Sequence, residues 1–263
     1  MRLVIVGPGR AGGSIARAAR AAEHEIAGVV SRTGDDRFGP PLAPEEPWPQ
    51  VDLALICVRD DQIESLTISM ASQFADIPVV AHVSGFVPVT ALKPLAFPGV
   101  SLGGFHPLQT LPDPERGAAA LAGSYVGIGG EELAEDTLIH FAISLDLKPF
   151  ALDDAVRPLY HAASAAAANF VATALATASD LYAAAAIDPG VAAPLVSRVA
   201  QNVFEVGGRE SLTGPIARGD TETVVGHLVA AHQVSESVGK QFRLMAEATA
   251  ILAGRFSEVK DWK

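Results

Sequence analysis

The stretch LVIVGPGRAGG, residues 3–13, decides how the rest of the chain is read. Its first half is an all-apolar run of strand length. Its second half has glycines at 7, 9 and 12, the spacing G-x-G-x-x-G. That spacing has meaning only where a strand turns directly into a helix, and a helical stretch from about Ala11 to Ala22 follows here. Gly7 permits the tight turn, Gly9 lets the backbone approach a pyrophosphate, and Gly12 lets the helix pack closely on the strand. The helix start then presents unpaired N–H groups and a partial positive charge to phosphate. Gly7, Pro8, Gly9, Arg10, Ala11 and Gly12 are therefore candidate dinucleotide contacts. The bland alternative is a strand-to-helix turn that binds nothing.

Further apolar runs recur along the first half. EIAGVVS (25–31), VDLALICV (51–58), VVAHVS (79–84), GVSLGGF (99–105) and SYVGIG (124–129) read as strands, with LKPFAL near residue 150 as the last. Near-continuous apolar strands suit a parallel sheet covered on both faces. Their alternation with helical segments predicts a doubly wound α/β domain. FGPPLAPEEPWP (38–49) holds too much proline for a helix and reads as an extended crossover. HPLQTLPDPERG (106–117) also reads as a loop.

Beyond residue 152 the texture changes. A run from Asp153 to Ile187 has no breaker after Pro158, and Asp153 or Asp154 can cap its start. Asp188-Pro189-Gly190 ends it. Further helices are expected at roughly 191–206, 220–231 and 233–253, with Asp220 as a cap. The predicted organisation is an α/β domain over 1–152 and an all-α domain over 153–263. Residues 162–186 are alanine-rich, and Asn169 and Asp180 interrupt them. They read as a buried helix and not as a membrane span, which needs stronger apolar residues.

The nucleotide preference lies at the end of the second strand. An acid about 20 residues past the glycines would bond a ribose 2′-hydroxyl. Ser31 and Arg32 stand there instead, and a guanidinium suits a 2′-phosphate. The expected cofactor is therefore NADP, with Asp35 and Asp36 the nearest acids and a solvated surface charge the bland reading of Arg32. Ligands of open α/β sheets sit outside the carboxyl ends of strands. That rule brings in Val58, Ser84, His106 and Gln109, with His106 able to relay a proton near neutrality. Each also has an ordinary reading: Ser84 as a helix cap, His106 as a loop staple and Cys57 as a buried thiol.

Composition excludes other classes. The net charge is −11, with 30 acids against 19 lysines and arginines. No basic stripe for nucleic acid and no polybasic membrane surface is present. The single cysteine, Cys57, excludes an internal disulfide framework and fits a reducing cytoplasm. The N-terminus lacks the pattern of a signal peptide. The seven histidines are scattered, His227 and His232 five apart, so no metal site is expected.

GPGRAGGSIARA, FHPLQTL, YHAASAAAANFVATAL and LTGPIARGD together resemble an uncharacterised bacterial family. Its members join a Rossmann-like domain to a helical domain similar to the C-terminal part of 6-phosphogluconate dehydrogenase. More distantly the chain is similar to ketopantoate reductases, pyrroline-carboxylate reductases and deazaflavin-dependent NADP reductases. The resemblance implies an oxidoreductase acting on a small-molecule substrate, and a homodimer built through the helical domain. In the lysine-using relatives a helix lysine handles the proton, and residues 153–187 contain none here. His161 is the titratable residue early on that helix. Asn169 falls about 80° round an unbroken α-helix from it. Arg218, in SLTGPIARGD, is available to clamp an anionic substrate bidentately or simply to cover surface. The expected reaction is hydride transfer between nicotinamide and a small carbonyl, imine or hydroxy acid. The alternatives are a non-catalytic NADP-binding sensor and a deazaflavin-dependent reductase.

Overall fold

The computed structural model describes residues 1–34, 36–43 and 45–262, so Asp35 falls outside the described residues. Among them the chain divides into two compact units, Met1–Ala165 and Ala166–Lys263. The first unit extends past the expected boundary at 152. The first turns of the long helix belong to it because Arg157 and Tyr160 bond groups at the strand ends.

The first unit is a seven-stranded sheet ordered β2-β1-β3-β4-β5-β6-β7. Its strands are β1 (Arg2–Val6), β2 (Glu25–Val30), β3 (Leu53–Ile56), β4 (Val79–His82), β5 (Ser101–Leu108), β6 (Tyr125–Gly130) and β7 (Lys148–Ala151). Successive side chains of a strand point to opposite faces. Leu3 and Ile5 thus join one core with Ile15, Leu121 and Phe141. Val4 and Val6 join the other, with Ile63, Phe74 and Leu92. The first face is covered by α1 (Arg10–Ala21), α3 (Pro114–Leu121) and α4 (Glu132–Ser144), the second by α2 (Asp60–Ser69) and short 3-10 turns.

Two local expectations need correction. The sheet is parallel from β2 through β5, but β6 runs antiparallel to β5 before pairing in parallel with β7. β5 also continues to Leu108, so His106, Pro107 and Leu108 are strand and not loop. Pro107 is tolerated although it lacks an N–H, and β6 pairs alongside it at Val126.

The second unit is helical: α6 (Val171–Ala184), α7 (Ala193–Val206), α8 (Pro215–Arg218), α9 (Thr221–Val234) and α10 (Glu236–Ala253). The run expected as one unbroken helix is instead a 3-10 turn at Asp154–Val156, then α5 (Arg157–Ala165), a π-helical turn at Ala166–Phe170, and α6. Asp220 caps α9 as expected, accepting from the Thr223 amide at 3.1 Å. The buried reading of the alanine-rich segment is overturned. The helical run Asp154–Ala184 is long and apolar enough, by length and composition, to cross a membrane, and 6% of its most apolar window is buried within the chain.

Candidate active site

The strand order 2-1-3 places the switch point of the sheet between β1 and β3, where ligands of such sheets sit. The glycine loop is built there. Gly7 has φ +91°, a left-handed conformation, and a Cβ on it would lie 2.9 Å from Val58 Cγ1. A Cβ on Gly12 would collide with the Gly7 carbonyl oxygen. A Cβ on Gly9 would meet nothing within 4 Å, so that glycine faces open space. α1 starts at Arg10 with no side-chain cap and no acid in its first turn. Its first N–H groups are therefore available to an anion.

A cavity of about 780 Å³ opens in front of this loop. It is lined by Gly7, Pro8 and Gly9, by Ser31, Arg32 and Thr33 after β2, and by Cys57, Val58 and Arg59 after β3. Arg37 also lines the wall, with its guanidinium carbon 5.1 Å from the centroid of the Phe38 ring. Among the described residues no carboxylate lines it. Arg59 is held in a two-point contact with Asp61, at 3.1 Å for each bond. The Ser31 hydroxyl accepts from the Thr33 amide at 3.2 Å, which folds the turn carrying Arg32. Burial pushes the Cys57 thiol up to about 12, so it stays protonated at neutral pH. Cys57 is half-buried at the cavity wall, and a protonated thiol is a poor nucleophile.

A second constellation forms within the first unit at the ends of β4 and β5. His106 Nδ1 lies 2.7 Å from the Tyr160 hydroxyl. The ring of His161 stands 6.0 Å, centroid to centroid, from that of His106. Phe86 lies 6.0 Å from His161 on another side. The imidazole of His106 occupies the space over Gly85, where a Cβ would come within 2.7 Å of Cε1 and Nε2. Burial, followed by His161 and Arg157, pushes His106 down to about 4. Burial likewise raises Tyr160 above the usual phenol range.

Arg157 is the fixed charge beneath this cluster. It is fully buried, donating from Nε to Asp154 Oδ1 at 2.7 Å and from Nη1 to the Ser84 carbonyl at 3.1 Å. Asp154 also accepts from the amides of Val89 at 2.8 Å and Thr90 at 3.3 Å. Asp154 thus pins a loop and the guanidinium together, and Asp153 is the residue that caps the 3-10 turn. Arg157 Nη2 and His82 Nε2 are buried without a hydrogen-bond partner among the described residues. Burial, then Arg157, pushes His82 down to about 4.

The other expected site residues fall out as follows. Ser84 is buried, and its hydroxyl accepts from the amides of Phe86 and Val87 at 3.1 and 2.9 Å, a local turn cap. The Gln109 amide is engaged by its neighbours, donating to the Ala120 carbonyl of α3 at 3.2 Å and accepting from the Thr110 amide at 2.8 Å. Asn169 lies in the π-helical turn, so the angle from His161 that assumes an unbroken α-helix does not hold. Such turns often mark functional positions in helices. Arg218 is exposed at the end of α8 in the second unit. Among the described residues no cluster of histidine, cysteine and acid could hold a metal.

Sequence reading missed Tyr160, Arg157, Asp154, Phe86 and Gly85. Tyr160 directly precedes His161, and only the histidine drew notice because it titrates near neutrality. The contact with His106 joins residues far apart in the chain and leaves no periodic signal.

No curated protein is detectably similar to the chain. Among solved structures, a candidate NADP oxidoreductase from Bacteroides fragilis aligns with TM-score 0.80 and 20% identity, over 95% of this chain and 97% of that one. An imine reductase from Streptomyces aurantiacus aligns with TM-score 0.65 and 16% identity, over 99% of both chains. The NADP-bound pyrroline carboxylate reductase of Plasmodium falciparum aligns with TM-score 0.63 and 10% identity, over 96% and 98%. These likenesses establish the fold, a Rossmann-type α/β sheet followed by a helical unit. Residues 124–249 match the family described as Domain of unknown function (DUF2520). That match spans 126 of the 263 residues, from the start of β6 into α10, so this part of the chain is similar to the DUF2520 family.

Proposed function

We propose that the protein is an NADP-dependent oxidoreductase that reduces a small, anionic carbonyl or imine compound. The observation that carries this reading is the cavity at the β1/β3 switch point. It combines a three-glycine cradle, an uncapped helix start and the guanidinium of Arg32, with no lining carboxylate among the described residues. When bound there, NADPH supplies a hydride from its nicotinamide ring. The glycine loop holds the pyrophosphate, and Ser31 and Arg32 hold the 2′-phosphate through charge-assisted bonds. In this reading the proton for a carbonyl substrate comes from the cluster of His106, Tyr160 and His161, whose mutual contacts support the assignment. The homodimer forms through the helical unit, whose exposed apolar side chains supply the surface.

The test is a titration of the purified protein with NADPH and, separately, NADH, followed by nicotinamide fluorescence. NADPH is expected to bind at least tenfold tighter than NADH, and Arg32→Ala to remove that preference. Equal binding of both, unaltered in the variant, would make Arg32 a surface charge. Tight NADPH binding with no turnover of any carbonyl or imine would favour a sensor.

A further inference from the structure

Resting on the reductase reading, we infer that Tyr160 is the group that hands the proton to the substrate, with His106 as its positioning partner. The geometry is specific. Tyr160 is half-buried at the start of α5, and its hydroxyl lies 2.7 Å from His106 Nδ1. The two rings meet edge to face, 5.5 Å apart at 89°. Phe150 packs 5.7 Å away from the phenol ring, so the ring is held on a second side. His106 is in turn held by the missing side chain of Gly85. Both residues stand at the carboxyl ends of β4 and β5, the edge on which the ligand crevice of such sheets opens.

Burial first, and then nearby His161 and Arg157, favour the neutral form of His106. A neutral imidazole carries one N–H. With that N–H on Nδ1, it donates to the phenol oxygen and leaves the phenol O–H free for the substrate. The same bond then stabilises the phenolate that the transfer leaves behind. In the proposed step the carbonyl carbon gains a hydride, and with it two electrons, from the dihydronicotinamide, which is oxidised. The carbonyl oxygen takes the Tyr160 hydroxyl proton and becomes an alcohol. Tyr160 regains a proton from water. An iminium substrate arrives already protonated and draws less on Tyr160.

Two measurements on the full chain test this. The first is a long-range 1H–15N correlation spectrum at neutral pH, with the His106 signals assigned by their loss in His106→Asn. The expected result is protonation on Nδ1, with the tautomer changing in Tyr160→Phe. The second is NADPH oxidation with pyruvate as carbonyl probe and 1-pyrroline-2-carboxylate as imine probe. Tyr160→Phe is expected to lower kcat on pyruvate by about 10²-fold or more, the usual scale of general acid catalysis. The loss on the cyclic imine should be smaller, and the NADPH dissociation constant should stay within twofold. A His106 ring protonated on Nε2 alone, or pyruvate turnover that survives Tyr160→Phe within threefold, would overturn the assignment while the reductase reading stands. Absence of wild-type turnover on both probes would sink the reductase reading and the proton role with it.

Discussion

The two units bury their apolar side chains in opposite ways. The sheet unit closes on itself: strands β1, β3 and β4 are buried along almost their whole length, with a packed core on each face. The helical unit has one small core, built on Val224, Ala246, Ala250 and Trp262. α7 buries no residue at all, and Phe204 on it is 90% exposed while Phe170 is 70% exposed. Single exposed apolar side chains need no explanation, whereas large exposed patches mark interaction surfaces. The difference teaches that the sheet unit is a finished object within one chain. The helical unit leaves large apolar side chains on several helices exposed within one chain.

The contrast can be broken most directly on α7. Phe204→Glu combined with Leu195→Glu places two charges on exposed apolar positions. The wild type is expected to show twice the chain mass in light scattering at micromolar concentration, and the double variant the mass of one chain. A wild type that already runs as one chain would remove the proposed homodimer.

In the sheet unit the largest single effect is expected at Asp154→Asn. Arg157 would then be a fully buried cation without its counter-charge. Breaking such a pair costs roughly 3–5 kcal/mol. Urea unfolding should show this loss in the sheet unit, and a change under about 1 kcal/mol would mean that water reaches Arg157.

Acid should loosen the same unit next. His82 is buried and pushed down from its ordinary 6.5 to about 4, first by burial and then by Arg157. Between those values the unfolded chain binds a proton that the folded chain does not. The associated stability is therefore complete above about pH 6.5 and is lost as pH falls toward 4. At about 1.4 kcal/mol per pH unit, the loss is on the order of 3 kcal/mol. His106, pushed down to about 4 as well, adds a loss of the same sign, so a flat stability profile over that window would show that both histidines ionise freely in the folded state.

The smallest expected effect sharpens the comparison from the helical side. Ser235 accepts from the Val238 amide at 3.1 Å and caps α10. Ser235→Ala should cost about 1 kcal/mol. If association stabilises the helical unit, the unfolding midpoints of wild type and variant will both rise with protein concentration while the gap between them holds.

Much of the sheet unit was legible in the sequence, because strands buried on two faces are continuous apolar runs whatever their neighbours. The glycine loop was legible because backbone geometry restricts it to glycine, and Asp220 because a cap is local. The direction of β6 was not: SYVGIG has the same texture in a parallel or an antiparallel ladder. Nor was the end of β5, since His106-Pro107 reads as a breaker until β6 pairs beside it. The alanine-rich run was misread for a related reason. Composition records that a face is apolar, and it is silent on whether the same chain covers it. In the candidate site, the offset from the glycines points to Arg32, and Arg32 lines the cavity in front of them. Tyr160 and Arg157 were not, because their roles arise from bonds to strand ends remote in sequence.

Gly85 and His106 share one volume, since the imidazole sits where any Cβ at position 85 would be. The two positions therefore behave as one character under mutation. A methyl group at 85 displaces the ring, and a small residue at 106 leaves a void that a larger residue at 85 can fill. Homologous chains that depart from glycine at the first position should depart from histidine at the second, and such chains would need another way to position the phenol at 160.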